Sequence, residues 1–129
     1  MDPIARARWN ASILELLAEL LERRVRDPRV EDVTLTAVEV AGDLGVAKVY
    51  YSLLGDADRR KAAQRGLENV AGFLRGEIGR QLAIRTAPQL RFQFDASLER
   101  GQRIETLLRE LHDAEAEPPR TPPEGDADA

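Results

Sequence analysis

Residues 33–55, VTLTAVEVAGDLGVAKVYYSLLG, predict the centre of the fold. Residues 33–40 are rich in β-branched side chains and alternate at their start, which is typical of a strand. Residues 46–54 form a second run of this kind, and the Gly-Asp-Leu-Gly sequence of residues 42–45 supplies a turn between them. The short separation predicts a β-hairpin.

A helix is predicted before this hairpin. Asp2 and Pro3 read as an N-cap followed by proline at the first helical position. Asp27 and Pro28 are expected to end the helix. Between them apolar residues recur at three- and four-residue steps, as on one side of a helix: Ile13, Leu14, Leu17, Leu20, Leu21 and Val25.

The region after the hairpin is predicted to be helical with a break in it. Asp56 or Asp58 can cap it, and its apolar side holds Ala63, Leu67, Val70, Ala71, Leu74, Ile78 and Leu82. Phe73 is out of phase with that side, although a large aromatic residue is expected to be buried. Each interior glycine costs about 1 kcal/mol relative to alanine. We therefore predict two helices, or one sharply bent helix, with Ala71 and Gly72 at the kink and Phe73 turned inward.

The remaining sequence predicts a third strand, a last helix and a tail. Residues 89–95 alternate apolar and polar side chains, and Ser97 can cap a helix that carries Ile104, Leu107, Leu108 and Leu111. The order is then α-β-β-α-α-β-α, an α+β fold with helices on one face of a small three-stranded mixed sheet. We assign residues 1–112 to one domain. Residues 113–129 lack large apolar side chains and are predicted to be a disordered acidic tail.

Charge is segregated along the chain. The formal net charge is −4, yet residues 110–129 hold seven acids and one base. Residues 59–91 hold eight bases, two acids and four glycines. Basic side chains attract phosphate, and glycine lets another backbone approach closely. This segment therefore predicts a nucleic-acid interface, most plausibly for RNA, although a solvated helix face is the alternative. The predicted phosphate contacts are Arg59, Arg60, Lys61, Arg65, Arg75, Arg80 and Arg85.

The composition argues against an enzyme. The chain has no cysteine and a single histidine, His112, with no partners for a catalytic triad or a metal site beside it. No P-loop or glycine-rich nucleotide motif is present, and the carboxylates form no recognisable acid–base pair. We expect no catalysis, no metal and no cofactor. No apolar run reaches the ~18 residues of a membrane span, and the N-terminus lacks the apolar core of a signal peptide, so we expect a cytoplasmic protein.

Several short segments, taken in order, resemble the ribosome-binding factor A family. They are RDPRV at residues 26–30, the hairpin at 33–55, GFLR at 72–75, LAIR at 82–85, PQLRF at 88–92 and DASLERGQRI at 95–104. The resemblance implies a type II KH-like domain that binds the immature 30S ribosomal subunit and 16S rRNA. It also implies assistance in late maturation and 5′-end processing of 16S rRNA, without catalysis, by a monomer whose release an assembly GTPase promotes.

One feature separates this sequence from ordinary KH domains. Those domains clamp single-stranded RNA with a GXXG loop between two helices, and no such loop occurs at the predicted helix junction. The family resembled here has an Ala-X-Gly kink instead, which falls on residues 70–72. Gly72 matches that pattern, whereas Val70 departs from it. The alternatives are a general single-stranded RNA-binding KH-like protein and a protein-interaction module that uses an exposed sheet face.

Overall fold

A computed structural model describes residues 1–116, apart from the side chains of residues 98, 99, 102, 115 and 116. Residues 1–95 form one compact unit, and residues 96–116 belong to a second. The elements are helix α1 (Pro3–Arg24), a short 3-10 helix (Pro28–Val30), strands β1 (Thr34–Val40) and β2 (Val46–Ser52), helix α2 (Ala57–Gln81), strand β3 (Gln89–Phe94) and helix α3 (Ser97–Ala116).

The three strands form one mixed sheet in the order β1-β2-β3. Strand β1 pairs antiparallel with β2 as the predicted hairpin, and β2 pairs parallel with β3. Side chains alternate, so that Val38, Val49 and Phe92 are buried while Lys48 and Arg91 are exposed. Helix α1 packs on β1 and helix α2 packs on β3. The predicted α+β fold with a three-stranded mixed sheet is confirmed.

The core lies between the sheet and helices α1 and α2. Its fully buried members include Ile13, Leu17, Val49, Tyr51, Leu67, Leu74 and Ile78. The Tyr51 hydroxyl donates to Gln64 Oε1 at 2.6 Å, and Gln64 Nε2 donates to the carbonyl oxygen of Phe92 at 3.0 Å. This relay joins β2, α2 and β3, and therefore fixes which side of α2 faces away from the sheet.

Helix α2 is a single helix of 25 residues, whereas the sequence predicted either two helices or one sharply bent helix. It runs through Ala71 and Gly72 without interruption, so the alternative of two separate helices is wrong, and a bend at these residues stays a prediction. The structure has three α-helices in total among the residues it describes. The helix tolerates the glycines because its buried side is continuous: Leu67, Leu74 and Ile78 are each inaccessible to solvent. Packing of that side outweighs the loss of helix propensity.

The inward turn predicted for Phe73 is also wrong. The phase of α2 does not shift, and the Phe73 side chain is 39% exposed. The guanidinium of Arg24, in the last turn of α1, lies 5.4 Å from the centre of the Phe73 ring. Arg24 also forms a 3.6 Å ion pair with Glu77 one turn further along α2. A cation therefore covers the ring at the surface, in place of burial in the core.

Helix α1 begins as predicted and ends earlier. Asp2 is its N-cap and accepts a hydrogen bond from the Ala5 amide at 2.7 Å. The helix stops at Arg24, and Asp27 caps the 3-10 helix that follows by accepting from the Arg29 amide at 2.9 Å. The Arg29 guanidinium donates to the same carboxylate at 2.7 Å, and these bonds hold the pKa of Asp27 below its usual value. The Asp-Pro signal thus marks a separate turn rather than the helix end.

Strand β1 is an edge of the sheet, and a side chain covers part of that edge. The peptide N–H of Val40 donates to Oδ1 of Asn10, on α1, at 2.8 Å. An unpaired strand N–H is otherwise open to another chain. Asn10 therefore occupies one hydrogen-bonding position that β1 would offer.

Helix α3 belongs to the second unit and begins at Ser97. It continues to Ala116, four residues beyond the predicted end of the domain at residue 112. The rest of the predicted tail lies outside the described residues, so its disorder stays a prediction. Four apolar side chains on one side of α3 are each more than half exposed: Ile104, Leu107, Leu108 and Leu111.

Candidate nucleic-acid interface

The side of α2 that points away from the sheet carries two cations and two glycines, with the exposed acid Glu68 between them. Lys61, Arg65, Gly72 and Gly76 are all exposed. Their spacing of four, seven and four residues places them in one line on a helix, opposite the buried side that includes Leu67. We call this line the outer face of α2. Within residues 1–116, neither Lys61 nor Arg65 forms a hydrogen bond or an ion pair.

The two glycines of the outer face do not serve packing. A Cβ atom added at Gly72 or Gly76 would meet no other atom within 4 Å. The most tightly packed glycine of α2 is Gly66, where an added Cβ would lie 2.8 Å from Val30 Cγ1 and 3.0 Å from Arg29 Cβ. The 3-10 helix therefore crosses α2 at Gly66, whereas Gly72 and Gly76 leave a strip of bare backbone facing solvent.

Two of the predicted RNA-binding residues, Arg59 and Arg60, make contacts within the protein. Arg59 forms an ion pair with Asp32, and its Nη1 donates to the carbonyl oxygen of Arg29 at 2.8 Å. The Arg60 guanidinium lies 4.4 Å from the centre of the Phe94 ring, which itself packs edge-on against Tyr51. Both arginines thus join the first turn of α2 to neighbouring elements.

Arg75 and Arg80 are exposed yet also hold intramolecular partners. Arg75 Nε donates to the carbonyl oxygen of Ala87 at 2.9 Å, which fastens the segment before β3 to α2. Arg80 forms an ion pair with Glu77, three residues earlier in the helix. Hydrogen bonds from Arg80, and then from Gln81, lower the pKa of Glu77. A phosphate bound at either arginine would have to compete with these partners.

Arg85 extends the basic surface beyond the helix. Ala83 adopts a left-handed conformation, with φ of 54°, and the Ile84 amide donates back to the Gly79 carbonyl oxygen at 3.0 Å. The chain therefore reverses just after α2 ends, and Arg85 is exposed in the connecting segment. Its side chain has no hydrogen-bond or ion-pair partner in the part of the chain that the structure describes.

The predicted set of seven cations thus separates into two kinds. Within the described residues Lys61, Arg65 and Arg85 have unengaged side chains. The other four have partners inside the protein: Arg59, Arg60 and Arg75 on neighbouring elements, and Arg80 within its own helix. Sequence reasoning found all the charges but could not find partners such as Asp32 and Phe94, which are distant in the chain. Among residues 1–116 no cluster of acidic or histidine side chains could hold a metal ion, and no helix combines the length and apolar character that crossing a membrane requires.

Comparison with known proteins agrees with this architecture. A sequence model described as Ribosome-binding factor A matches residues 5–108. This chain belongs to the ribosome-binding factor A family. A ribosome-binding factor A from Pelobacter propionicus is 45% identical over 100 residues, which is 78% of this chain and 82% of that protein.

Two structural relatives share the fold. The crystal structure of ribosome-binding factor A from Thermus thermophilus aligns with a TM-score of 0.62 and 27% identity, over 69% of this chain and 93% of that one. A homology model of the Thermus thermophilus factor, fitted into a cryo-electron microscopy map of its complex with the 30S subunit, aligns with a TM-score of 0.56 and 26% identity. That alignment covers 67% of this chain and 91% of the other.

Proposed function

We propose that this protein binds the immature 30S ribosomal subunit and contacts 16S rRNA through the outer face of α2. In this role it assists late maturation and 5′-end processing of 16S rRNA without catalysing a reaction. The observation that carries the proposal is the line formed by Lys61, Arg65, Gly72 and Gly76, exposed and opposite the core. The Thermus thermophilus relative fitted into a 30S complex supports the choice of partner.

The outer face of α2 has the chemistry that a sugar–phosphate backbone requires. Lys61 and Arg65 are one helical turn apart and supply charge without first breaking an internal ion pair. At Gly72 and Gly76 no side chain keeps another backbone away from the helix. Each of these glycines costs the helix about 1 kcal/mol relative to alanine, with no packing gain in return. A ligand that needs close approach accounts for that cost.

The number of unengaged cations sets the expected salt dependence. Three phosphate contacts, at Lys61, Arg65 and Arg85, give a log–log slope of binding against salt of about −2 to −3. Six contacts within the predicted set would give about −4 to −5. The slope therefore separates a compact contact along α2 from one that also recruits the internally paired arginines.

Binding alone accounts for the action we propose. The protein holds a late folding intermediate of the rRNA, and its release lets maturation proceed. The domain spans residues 1–112, acts as a monomer in the cytoplasm, and leaves the subunit when an assembly GTPase promotes its release. Arg59, Arg60 and Arg75 hold neighbouring elements against α2, whereas Arg80 pairs with Glu77 within the helix.

Co-sedimentation with purified ribosomal subunits tests the proposal. The full chain should sediment with small subunits and not with large ones. Arg65→Glu should weaken small-subunit binding by about tenfold or more, because it replaces an attraction to phosphate with a repulsion. Arg8→Glu is the matched control, since Arg8 is exposed on α1 and has no ion pair within the described chain. Equal binding to both subunits, or equal losses in the two variants, contradicts the proposal.

The glycines allow a second test that is independent of charge. The double variant Gly72→Ala, Gly76→Ala should unfold at higher urea concentration than the parent, because alanine favours the helix and meets no neighbour. The same variant should bind small subunits more weakly if RNA lies against the bare backbone. A gain in stability with unchanged binding would remove the glycines from the interface while leaving the cations in it.

A further inference from the structure

The face of the sheet opposite α1 and α2 carries an ordered set of polar side chains. In the pairing register Glu39, Lys48 and Arg91 lie side by side across the three strands. In the next row Tyr50, on the central strand, is beside Gln93. Glu39, Lys48, Arg91 and Gln93 are exposed and Tyr50 is half-buried. We call these five residues the open sheet face.

Lys48 and Arg91 are like charges placed directly beside each other. They are register partners on β2 and β3, whose backbones are spaced at about 4.8 Å in any sheet. Like charges in that position destabilise a sheet. Neither side chain forms an ion pair anywhere in residues 1–116. An anion bound between them would replace the repulsion with two attractions.

Two acids, Glu39 and Asp95, lie near the open sheet face and hold hydrogen bonds to other residues; Asp95 accepts from the Thr36 hydroxyl at 2.7 Å. Glu39 is the register partner of Lys48 on β1, yet its Oε1 accepts a hydrogen bond from the Tyr50 hydroxyl at 3.0 Å. That bond anchors the phenol end of Tyr50 above the hairpin. The hydroxyl of Tyr50 is therefore held by Glu39, and the cations Lys48 and Arg91 lie in the adjacent row of the same face.

These side chains fit single-stranded RNA better than they fit a protein. Sheet-based RNA-binding domains stack bases on aromatic residues of an open sheet, while cations track the phosphates and amides read base edges. Protein interfaces need large apolar or aromatic anchors in their centre. Among residues 1–95 the large exposed apolar side chains, such as Leu54 and Phe73, are not part of the open sheet face.

We propose that the open sheet face is a second RNA-binding surface, which takes a phosphate between Lys48 and Arg91 and stacks one base of a single-stranded segment on Tyr50. Gln93 then faces the edge of that base. The inference rests on the proposed function only in taking RNA as the ligand, because the outer face of α2 lies on the other side of the sheet. A protein of this kind joins two RNA segments and holds them a domain's thickness apart.

Fluorescence anisotropy with a labelled single-stranded RNA oligonucleotide of mixed sequence tests this surface on the full chain. Lys48→Gln and Arg91→Gln should each weaken binding, and together they should make the log–log salt slope shallower by about 0.7, the value for one phosphate of a single strand. Arg8→Gln is the control and should leave the slope unchanged. Tyr50→Phe keeps the ring and should bind normally, whereas Tyr50→Ala should bind roughly tenfold more weakly.

The outcomes separate this proposal from the function proposed above. If Arg91→Gln and Lys48→Gln match Arg8→Gln while Arg65→Gln still weakens binding, the open sheet face is not an RNA site and the α2 contact stands. If these two variants weaken small-subunit binding but not oligonucleotide binding, the face holds a protein, and the proposal is overturned. Ultraviolet cross-linking to uridine-containing RNA, followed by mass spectrometry, should find Tyr50 in the cross-linked peptide. That readout does not depend on any variant folding, and a cross-link found only on α2 would count against the sheet face.

Discussion

Alanine substitutions at two glycines of α2 should change stability in opposite directions. At Gly72 the new methyl group enters open solvent, so only helix propensity changes and unfolding should cost about 1 kcal/mol more. At Gly66 the methyl group would lie 2.8 Å from Val30 Cγ1, whereas carbon atoms in contact sit about 3.5–4.0 Å apart. Val30 is 4% exposed and cannot move into solvent.

The magnitude at Gly66 follows from those distances. Val30 or α2 must shift by roughly 0.7–1.2 Å to restore normal contact, and overpacking of this kind costs about 1–3 kcal/mol. Subtracting the propensity gain of about 1 kcal/mol leaves Gly66→Ala between neutral and about 2 kcal/mol less stable. The two variants should therefore differ from each other by roughly 1–3 kcal/mol.

Urea denaturation of the full chain, followed by circular dichroism, measures the difference. We expect Gly72→Ala to raise the midpoint and Gly66→Ala to leave it unchanged or lower it, with the same dependence on urea in both. In thermal melts of a domain this size, 1 kcal/mol corresponds to about 4–8 °C. Equal stabilisation by both substitutions would refute the packing argument at Gly66. Destabilisation by Gly72→Ala would refute the open surface at that position.

Three further perturbations test contacts described above. Arg59→Ala should lower the unfolding free energy by about 1–2 kcal/mol, measured by urea denaturation, because a charged hydrogen bond to a backbone carbonyl and a surface ion pair are lost together. Burial raises the pKa of Tyr51 above its usual 10.0, so the unfolded chain loses its proton first and stability should fall as pH rises past that value. Tyr51→Phe should show a shallower alkaline loss, although its stability at pH 7 should be about 1 kcal/mol lower because Gln64 loses its donor. Hydrogen bonds from Arg80 hold the pKa of Glu77 below its usual 4.5. The ionised carboxylate therefore stabilises the folded state fully above pH 4.5, and this contribution is lost as the pH falls through the lower pKa of the folded state. Glu77→Gln should therefore flatten the acid side of the stability profile in urea titrations between pH 5 and pH 3.

The strands were predictable because their patterns are local. Alternation in residues 33–40 and 89–95 and the glycines of residues 42–45 gave the hairpin and the third strand to within two residues at each end. The Asp2 N-cap was equally readable, since the residues that form it are neighbours in sequence. The acceptor of the Asp2 cap and its donor are three residues apart, so no tertiary information was needed.

The structure of α2 depended on partners that sequence spacing does not reveal. The sequence predicts burial of Phe73 because residue spacing does not show that Arg24 lies over its ring. The sequence predicts a break at Gly72 because residue spacing alone does not show that the fully buried side of the helix continues from Leu67 to Ile78. Similarly, the sequence predicts a phosphate contact at Arg59 because it does not show the ion pair of Arg59 with Asp32, which is distant in the chain.

The hydrogen bond between Asn10 and the Val40 amide has a consequence for self-association. A free edge strand such as β1 can add to the edge of another copy of the chain. The Val40 N–H already donates to the carboxamide of Asn10. A second strand would therefore have to displace Asn10, on α1, before it could form all of its hydrogen bonds with β1. Asn10 thereby acts against edge-to-edge aggregation at β1, together with the irregularity between Leu35 and Ala37 that interrupts the pairing of this strand.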